Sequence, residues 1–123
     1  MSLHVSIIAK NKGFDTSELE REISPDRNDI FGFESTRQSL WGHDAIKNLG
    51  CELINSLKET DVFAFDEDVE VLKNEFLTIL KNIDLISEQI NLEKWAIEIR
   101  VLNALEVIRI VERNLDEVGV ALG

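Results

Sequence analysis

The chain has 123 residues, of which 44% are hydrophobic and 30% are charged, and its formal net charge at pH 7 is −11. This length and composition predict one globular domain with a hydrophobic core and exclude an intrinsically disordered chain. The negative charge argues against nucleic acid and against an anionic membrane surface as partners, because both are negatively charged themselves, and it leaves a basic protein partner open.

A single cysteine, Cys51, excludes an internal disulfide and indicates a reducing compartment, so we expect a cytoplasmic protein. The longest stretch without a charged side chain is residues 1–9. It is far shorter than the roughly 20 apolar residues needed to cross a bilayer. It also lacks the basic residues that begin a signal peptide, so we expect neither a membrane span nor a secretion signal.

The first elements are a strand and a short helix. Apolar and polar residues alternate over residues 3–9 with a period of two, which predicts a β-strand. A short helix is expected over residues 16–24, where Ser17 and Glu20 have the spacing of a capping box. Pro25 ends this helix, because the residue before a proline is pushed out of helical geometry.

The middle of the chain has weaker patterns. Residues 25–43 predict one or two short strands or extended turns. A helix is expected over residues 44–57, with Asp44 as its N-cap. Gly50 lies inside this helix and weakens it by about 1 kcal/mol relative to alanine. The apolar residues of the helix recur at spacings of three and four: Ile46, Leu49, Leu53 and Leu57.

The second half has the clearest periodicity. An acidic connection over residues 61–68 is compatible with a short strand, and a helix is expected over residues 68–88. Its apolar stripe has alternating spacings of three and four: Val69, Leu72, Phe76, Ile79, Ile83, Ile86 and Ile90. After a break within residues 87–91, a last helix is expected over residues 91–117, with Gly119 as its stop. Its stripe is Ile97, Val101, Ala104, Ile108, Val111, Leu115 and Val118.

These elements predict an α+β fold that is predominantly helical. N-terminal β-strands pack on about four helices, and the last two helices form a C-terminal antiparallel hairpin with stripe against stripe. The last helix carries a second apolar set, Trp95, Ile99, Leu102 and Leu105, so we expect it to be buried on two sides. This second side meets either the rest of the core or a second molecule, and the latter alternative is a homodimer through Trp95, Ile99 and Leu102.

No motif in the chain specifies a reaction, and we predict no catalytic residue, no metal and no cofactor. His43 and Cys51 lie eight residues apart in one expected helix, a rise of about 12 Å, whereas a nucleophile and its base need about 3 Å. The ligand spacings of zinc sites are absent. A calcium loop starting at Asp66 fails, because Val71 and Leu77 occupy the positions that require glycine and glutamate. Phosphate-binding glycine loops are also absent.

The segment 59–70 is the strongest candidate for a binding surface. It contains six acidic side chains, no basic one, and two phenylalanines among the carboxylates. Such a surface suits a basic partner, because charge steers the approach and aromatic rings anchor it. The alternative is that both phenylalanines point into the core. The expected contact residues are Asp61, Phe63, Phe65, Asp66, Glu67, Asp68 and Glu70.

Our leading hypothesis for function is a non-enzymatic protein-binding module of a bacterial type. The chain resembles immunity proteins, which neutralise a basic toxin by covering its active surface, in its size and its charge. A second hypothesis is a small ligand-binding protein or enzyme with a pocket lined by Arg37, Trp41, His43 and Asp44. The structural homodimer is the third.

Overall fold

The computed structural model describes all 123 residues and has the expected α+β fold, with more helix than strand. The strands are β1 (Ser2–Ala9), β2 (Ile30–Phe33), β3 (Val62–Ala64) and β4 (Val118–Leu122). The helices are α1 (Ser17–Glu20), α2 (Asp44–Lys47), α3 (Glu52–Asn55), α4 (Glu67–Lys81), α5 (Ile83–Ile90) and α6 (Lys94–Glu112). A π-helical turn spans Arg37–Trp41, and a 3-10 turn spans Ser56–Lys58.

The four strands form one antiparallel sheet in the order β2-β1-β4-β3, so the last strand of the chain pairs with both β1 and β3. The prediction that the last helix runs to residue 117 and stops at Gly119 is wrong. The helix ends at Glu112, and Gly119 lies within β4. A Cβ at Gly119 would lie 2.4 Å from the Ala64 carbonyl oxygen and 2.5 Å from the Phe65 ring, so this glycine permits a close approach inside the sheet.

The predicted helical hairpin is confirmed, and its last helix, α6, has packing partners on two sides. One side of α6 packs on α4 and α5, and another packs on the sheet. The predicted helix over residues 68–88 is interrupted at Asn82, and Asn91, in the left-handed conformation, ends α5. Both predicted stripes contribute to one hydrophobic cluster of 27 buried residues. The long spacing patterns therefore identified the core helices correctly.

The second buried side of α6 differs from the predicted one. Trp95 and Ile99 are exposed, and Leu102 and Leu105 are half-buried. The residues buried beside the main stripe are Ala96, Asn103, Val107 and Ile110. The alternative that Trp95 and Ile99 pack into the core is wrong, because the sheet covers the neighbouring flank of the helix, where Asn103 donates a hydrogen bond to the Ile30 carbonyl oxygen at 3.0 Å.

The helix expected over residues 44–57 is two short helices. Gly50, with φ +84°, separates α2 from α3 by adopting a conformation that side chains disfavour. His43 and not Asp44 is the N-cap of α2, because its Nδ1 accepts a hydrogen bond from the backbone N–H of Ala45 at 2.9 Å. The expected cap at Asp44 is therefore wrong, and Asp44 lies in the first turn.

The first helix is shorter than predicted. It comprises one turn, Ser17–Glu20, and the Ser17–Glu20 capping box does not form. The Asp15 carboxylate accepts the Ser17 backbone N–H instead, at 2.9 Å. The adjacent region is ordered by packing: Phe31 of β2 stacks on Trp41 with ring centroids 4.3 Å apart. The short strand expected within residues 25–43 is confirmed as β2.

Candidate functional site

Phe63 is the most exposed apolar side chain of the acidic segment 59–70. It lies on β3 between buried Val62 and Ala64, because successive side chains of a strand point to opposite faces. It is 59% exposed, so the face of β3 that carries it is open to solvent. The alternative that both phenylalanines point into the core is therefore wrong for Phe63.

Phe65 and Asp66 turn the chain from β3 into α4. Phe65 is half-buried, and its ring lies over Gly119. Asp66 has φ 52° and ψ −126°, a conformation that typically costs about 1–3 kcal/mol and that the surrounding structure must hold in place. Its carboxylate accepts a hydrogen bond from the Lys10 ammonium at 2.5 Å. Asp66 is thus a structural residue whose charge is already paired.

Three carboxylates of the first turn of α4 are exposed and form no ion pair: Glu67, Asp68 and Glu70. Their position at the N-terminus of the helix is favourable, since negative charge there complements the helix dipole. They differ from Asp61 and Asp66, each of which forms an ion pair within the chain. The unpaired negative charge of the segment is therefore concentrated at the start of α4.

Asp61 belongs to a cluster around Arg37. The Arg37 guanidinium donates to Glu34 at 2.7 Å, to Asp61 at 2.7 Å and to the Leu57 carbonyl oxygen at 3.0 Å. The hydrogen bonds to Glu34 and Asp61 raise the pKa of Arg37. These bonds join the turn after β2 to the loop before β3, so Arg37 and Asp61 hold the fold together at the base of the acidic segment.

The four residues predicted to line a pocket do not surround a common cavity. Trp41 is fully buried, its indole N–H donates to the Phe31 carbonyl oxygen at 3.2 Å, and its ring fills the core. This placement corrects the expectation that Trp41 faces a ligand. His43 is the N-cap of α2, Asp44 is exposed on the first turn, and Arg37 is engaged in the cluster described above.

Glu75 extends the acidic surface in a way that the sequence did not indicate. Its carboxylate accepts the backbone N–H groups of Leu53 at 3.2 Å and Ile54 at 2.9 Å, at the start of α3. Burial raises the pKa of Glu75, although these two hydrogen bonds oppose the shift. Asp68 and Glu52 lie on the rim of a shallow depression of about 330 Å³ beside it. No spacing pattern signals this contact, because residues 53 and 75 meet only in the tertiary structure.

The face predicted for a homodimer lies at the N-terminal half of α6. Trp95 is 69% exposed and Ile99 is 43% exposed, whereas Leu102 is half-buried. Exposed large apolar side chains are common at contact surfaces. A homodimer through these residues stays a prediction, and light scattering at high protein concentration tests it.

No three His, Cys, Asp or Glu side chains lie together as ligands for a metal ion. None of the helices has the length and apolar character required to cross a bilayer. Comparisons with protein-family models, with curated proteins and with solved structures found no match to this chain.

Proposed function

We propose that this chain is a non-enzymatic protein-binding module that holds a basic protein partner on its acidic face, defined here as Phe63, Glu67, Asp68 and Glu70. The exposed Phe63 ring is the observation that carries this proposal. A ring that is 59% exposed contributes little to the core, and it lies close in sequence to the three unpaired carboxylates at the start of α4.

Each part of the acidic face has a physical role in the proposal. Unpaired carboxylates accelerate association with a cationic surface, and this effect weakens as salt screens the charges. Phe63 supplies apolar area that is removed from water at the centre of the contact. The depression between Asp68 and Glu52 offers room for a basic side chain of the partner.

The most concrete version is an immunity protein of a bacterial type, whose basic toxin would be covered by the acidic face. The size and the charge of the chain support this version. We place the interaction in the cytoplasm, where a chain with one buried, unpaired cysteine meets no oxidising condition.

A comparison of two charge-matched baits tests the proposal. The face variant combines Phe63→Ser with Glu67→Gln, Asp68→Asn and Glu70→Gln. The control variant removes the same number of carboxylates elsewhere through Glu18→Gln, Glu88→Gln and Asp116→Asn, at exposed positions without ion pairs. Both are immobilised beside the wild type, and basic proteins retained from a native lysate are measured by quantitative mass spectrometry at low and high salt.

The proposal predicts one basic partner that the wild type and the control retain at low salt and that the face variant loses. Purified partner should then associate more slowly with the face variant, with a weaker dependence on salt. Equal retention by all three baits would contradict the acidic face as the binding surface. An equal loss of retention in both variants would show that net charge alone, and not the acidic face, accounts for binding.

A further inference from the structure

A narrow slot lies between β2 and the N-terminal half of α6. Its volume is about 180 Å³, and Ile30, Trp95 and Ile99 supply apolar walls, whereas Asn28 and Arg100 supply polar groups. At about 30 Å³ per water molecule, this is room for about six waters. The slot is smaller than the pockets of about 300 Å³ and more that bind drug-sized molecules. Its size suits a small organic molecule.

Arg100 is the unusual residue of this slot. Its guanidinium forms no ion pair, and Nη1 is shielded from solvent without any hydrogen-bond partner. The Phe33 ring lies beside the guanidinium, with its centroid 6.0 Å from Cζ, the outer limit of a cation–π contact. Burial lowers the pKa of Arg100. In a chain with 24 acidic side chains, none of them reaches this cation.

The position of Arg100 on α6 explains why it is shielded. Ala96, four residues before it, and Asn103, three residues after it, are both buried, and Asn103 bonds to Ile30 of β2. Residue 100 therefore lies at the edge of this buried flank and is itself half-buried. A half-buried guanidinium with neither a counter-ion nor a hydrogen bond within the chain is unfavourable for folding, and an anion in the slot would supply the missing interactions.

We infer that the slot binds a small carboxylic acid with an apolar body, with its carboxylate paired to Arg100 and its body between Ile30, Trp95 and Ile99. Guanidinium and carboxylate form two parallel charge-assisted hydrogen bonds, which are among the strongest polar contacts in proteins. The apolar walls favour acids that carry a hydrocarbon group over hydrated inorganic anions. This site is independent of the acidic face, and its ligand has the opposite charge from the partner proposed there.

Nuclear magnetic resonance of the two indole N–H groups provides a direct test. Trp95 lines the slot, whereas Trp41 is buried in the core with its indole N–H bonded to Phe31, so Trp41 serves as an internal control. The full-length protein is titrated with benzoate and 3-methylbutanoate. Two comparison compounds separate the two parts of the ligand: benzamide lacks the charge, and acetate nearly lacks the apolar body.

The inference predicts a saturable shift of the Trp95 signal with at least one of the two apolar acids, at a dissociation constant of about 1 mM or tighter. Benzamide and acetate should bind at least about tenfold more weakly, because each lacks one of the required interactions. The Trp41 signal should stay in place. No saturable shift up to about 10 mM, or equal affinity for benzoate and benzamide, would overturn the inference.

Two variants separate the role of Arg100 in binding from a role in folding. Arg100→Met should weaken benzoate binding by about tenfold or more and leave the melting temperature equal or higher, because the uncompensated cation is removed. Arg21→Met, at an exposed arginine without an ion pair, should bind as the wild type does. Unchanged benzoate affinity in a folded Arg100→Met variant would also overturn the inference. The comparison of benzoate with benzamide decides the role of charge if that variant does not fold.

Discussion

The Glu106 carboxylate accepts a hydrogen bond from the backbone N–H of Ser24 at 2.7 Å and thereby ties the segment after α1 to α6. The other carboxylate oxygen accepts a hydrogen bond from Arg109 at 2.8 Å. The bond to Arg109, followed by the bonds to Ser24, lowers the pKa of Glu106 to about 2. The charged Glu106 carboxylate therefore links two parts of the chain that are 82 residues apart in sequence.

Glu106 should make the stability of the fold depend on pH in the acid range. Its pKa in the folded protein lies below its ordinary value of 4.5, so its stabilising contribution is fully present above that pH and is lost as the pH falls toward 2. Glu106→Gln should lower the free energy of unfolding at pH 7 by about 2 kcal/mol, since a hydrogen bond to a charged group is lost. Urea unfolding at pH 7 and at pH 3 measures this difference, which should shrink at the lower pH.

The matched control for this prediction is Glu98→Gln, at an exposed carboxylate of the same helix that forms no ion pair. It should change the free energy of unfolding by less than about 0.5 kcal/mol at either pH. A cost of Glu106→Gln that is the same at pH 7 and pH 3 would show that the charge of Glu106 plays no part.

Truncation of Phe63 and truncation of Phe76 should differ strongly in their effect on the free energy of unfolding. Phe63→Ser should change the free energy of unfolding by less than about 0.5 kcal/mol, because the exposed ring packs against little. Phe76→Ala should cost about 4 kcal/mol, because this ring is fully buried and contacts Phe31 and Trp41 edge to face. Chemical denaturation of both variants checks this; a large loss in Phe63→Ser would place its ring in the core and weaken the proposed binding role.

Gly119 should not tolerate a side chain. The added Cβ of Gly119→Ala would meet the Ala64 carbonyl oxygen at 2.4 Å, and backbone atoms in a paired strand have little room to move. We expect a loss of about 3 kcal/mol, at the upper end of the cost of overpacking. Ala121→Gly, in the same strand, serves as the control and should cost about 1 kcal/mol or less. Thermal unfolding distinguishes the two, and equal melting temperatures would contradict the close strand packing.

Cys51 should be unreactive in the folded protein. Its side chain is buried, and burial, with a smaller contribution from Glu75, raises the pKa of the thiol to about 11. The thiolate is the reactive form, so a thiol reagent at pH 8 should label the native protein only through unfolding. The labelling rate should increase with urea in parallel with the loss of structure. Rapid labelling in the absence of urea would show that Cys51 is accessible.

Several elements were predicted well because their signals are local. The alternation at residues 3–9 and the two apolar stripes of α4, α5 and α6 depend only on the periods of strand and helix. The positions of helix breaks were harder to predict from the sequence. Gly50 was recognised as a weakness within a helix, and the structure uses its positive φ to end α2. Asn82 interrupts the next helix, although no proline or glycine lies there to predict a break.

The candidate site shows the same division. The excess of carboxylates over residues 59–70 follows from the sequence alone, whereas only the structure separates the paired Asp61 and Asp66 from the unpaired carboxylates of α4. Whether a phenylalanine faces water or the core depends on which side of β3 is covered, and only the sheet decides this for Phe63. Arg100 could not be singled out in the sequence, since an arginine on a helix is ordinarily an exposed and paired residue. Its isolation results from the position of β2 over α6.

By itself, the sequence of this protein determined the α+β class, the helical hairpin and the concentration of negative charge, because periodicity and composition act over neighbouring residues. Only the tertiary structure decided that residues 118–122 form a strand between β1 and β3, that Trp41 fills the core, and that Arg100 is left without a carboxylate. Each of these outcomes depends on partners far away in the chain. The free energy of such contacts is set by which surfaces meet, and the order of residues along one segment does not contain that information.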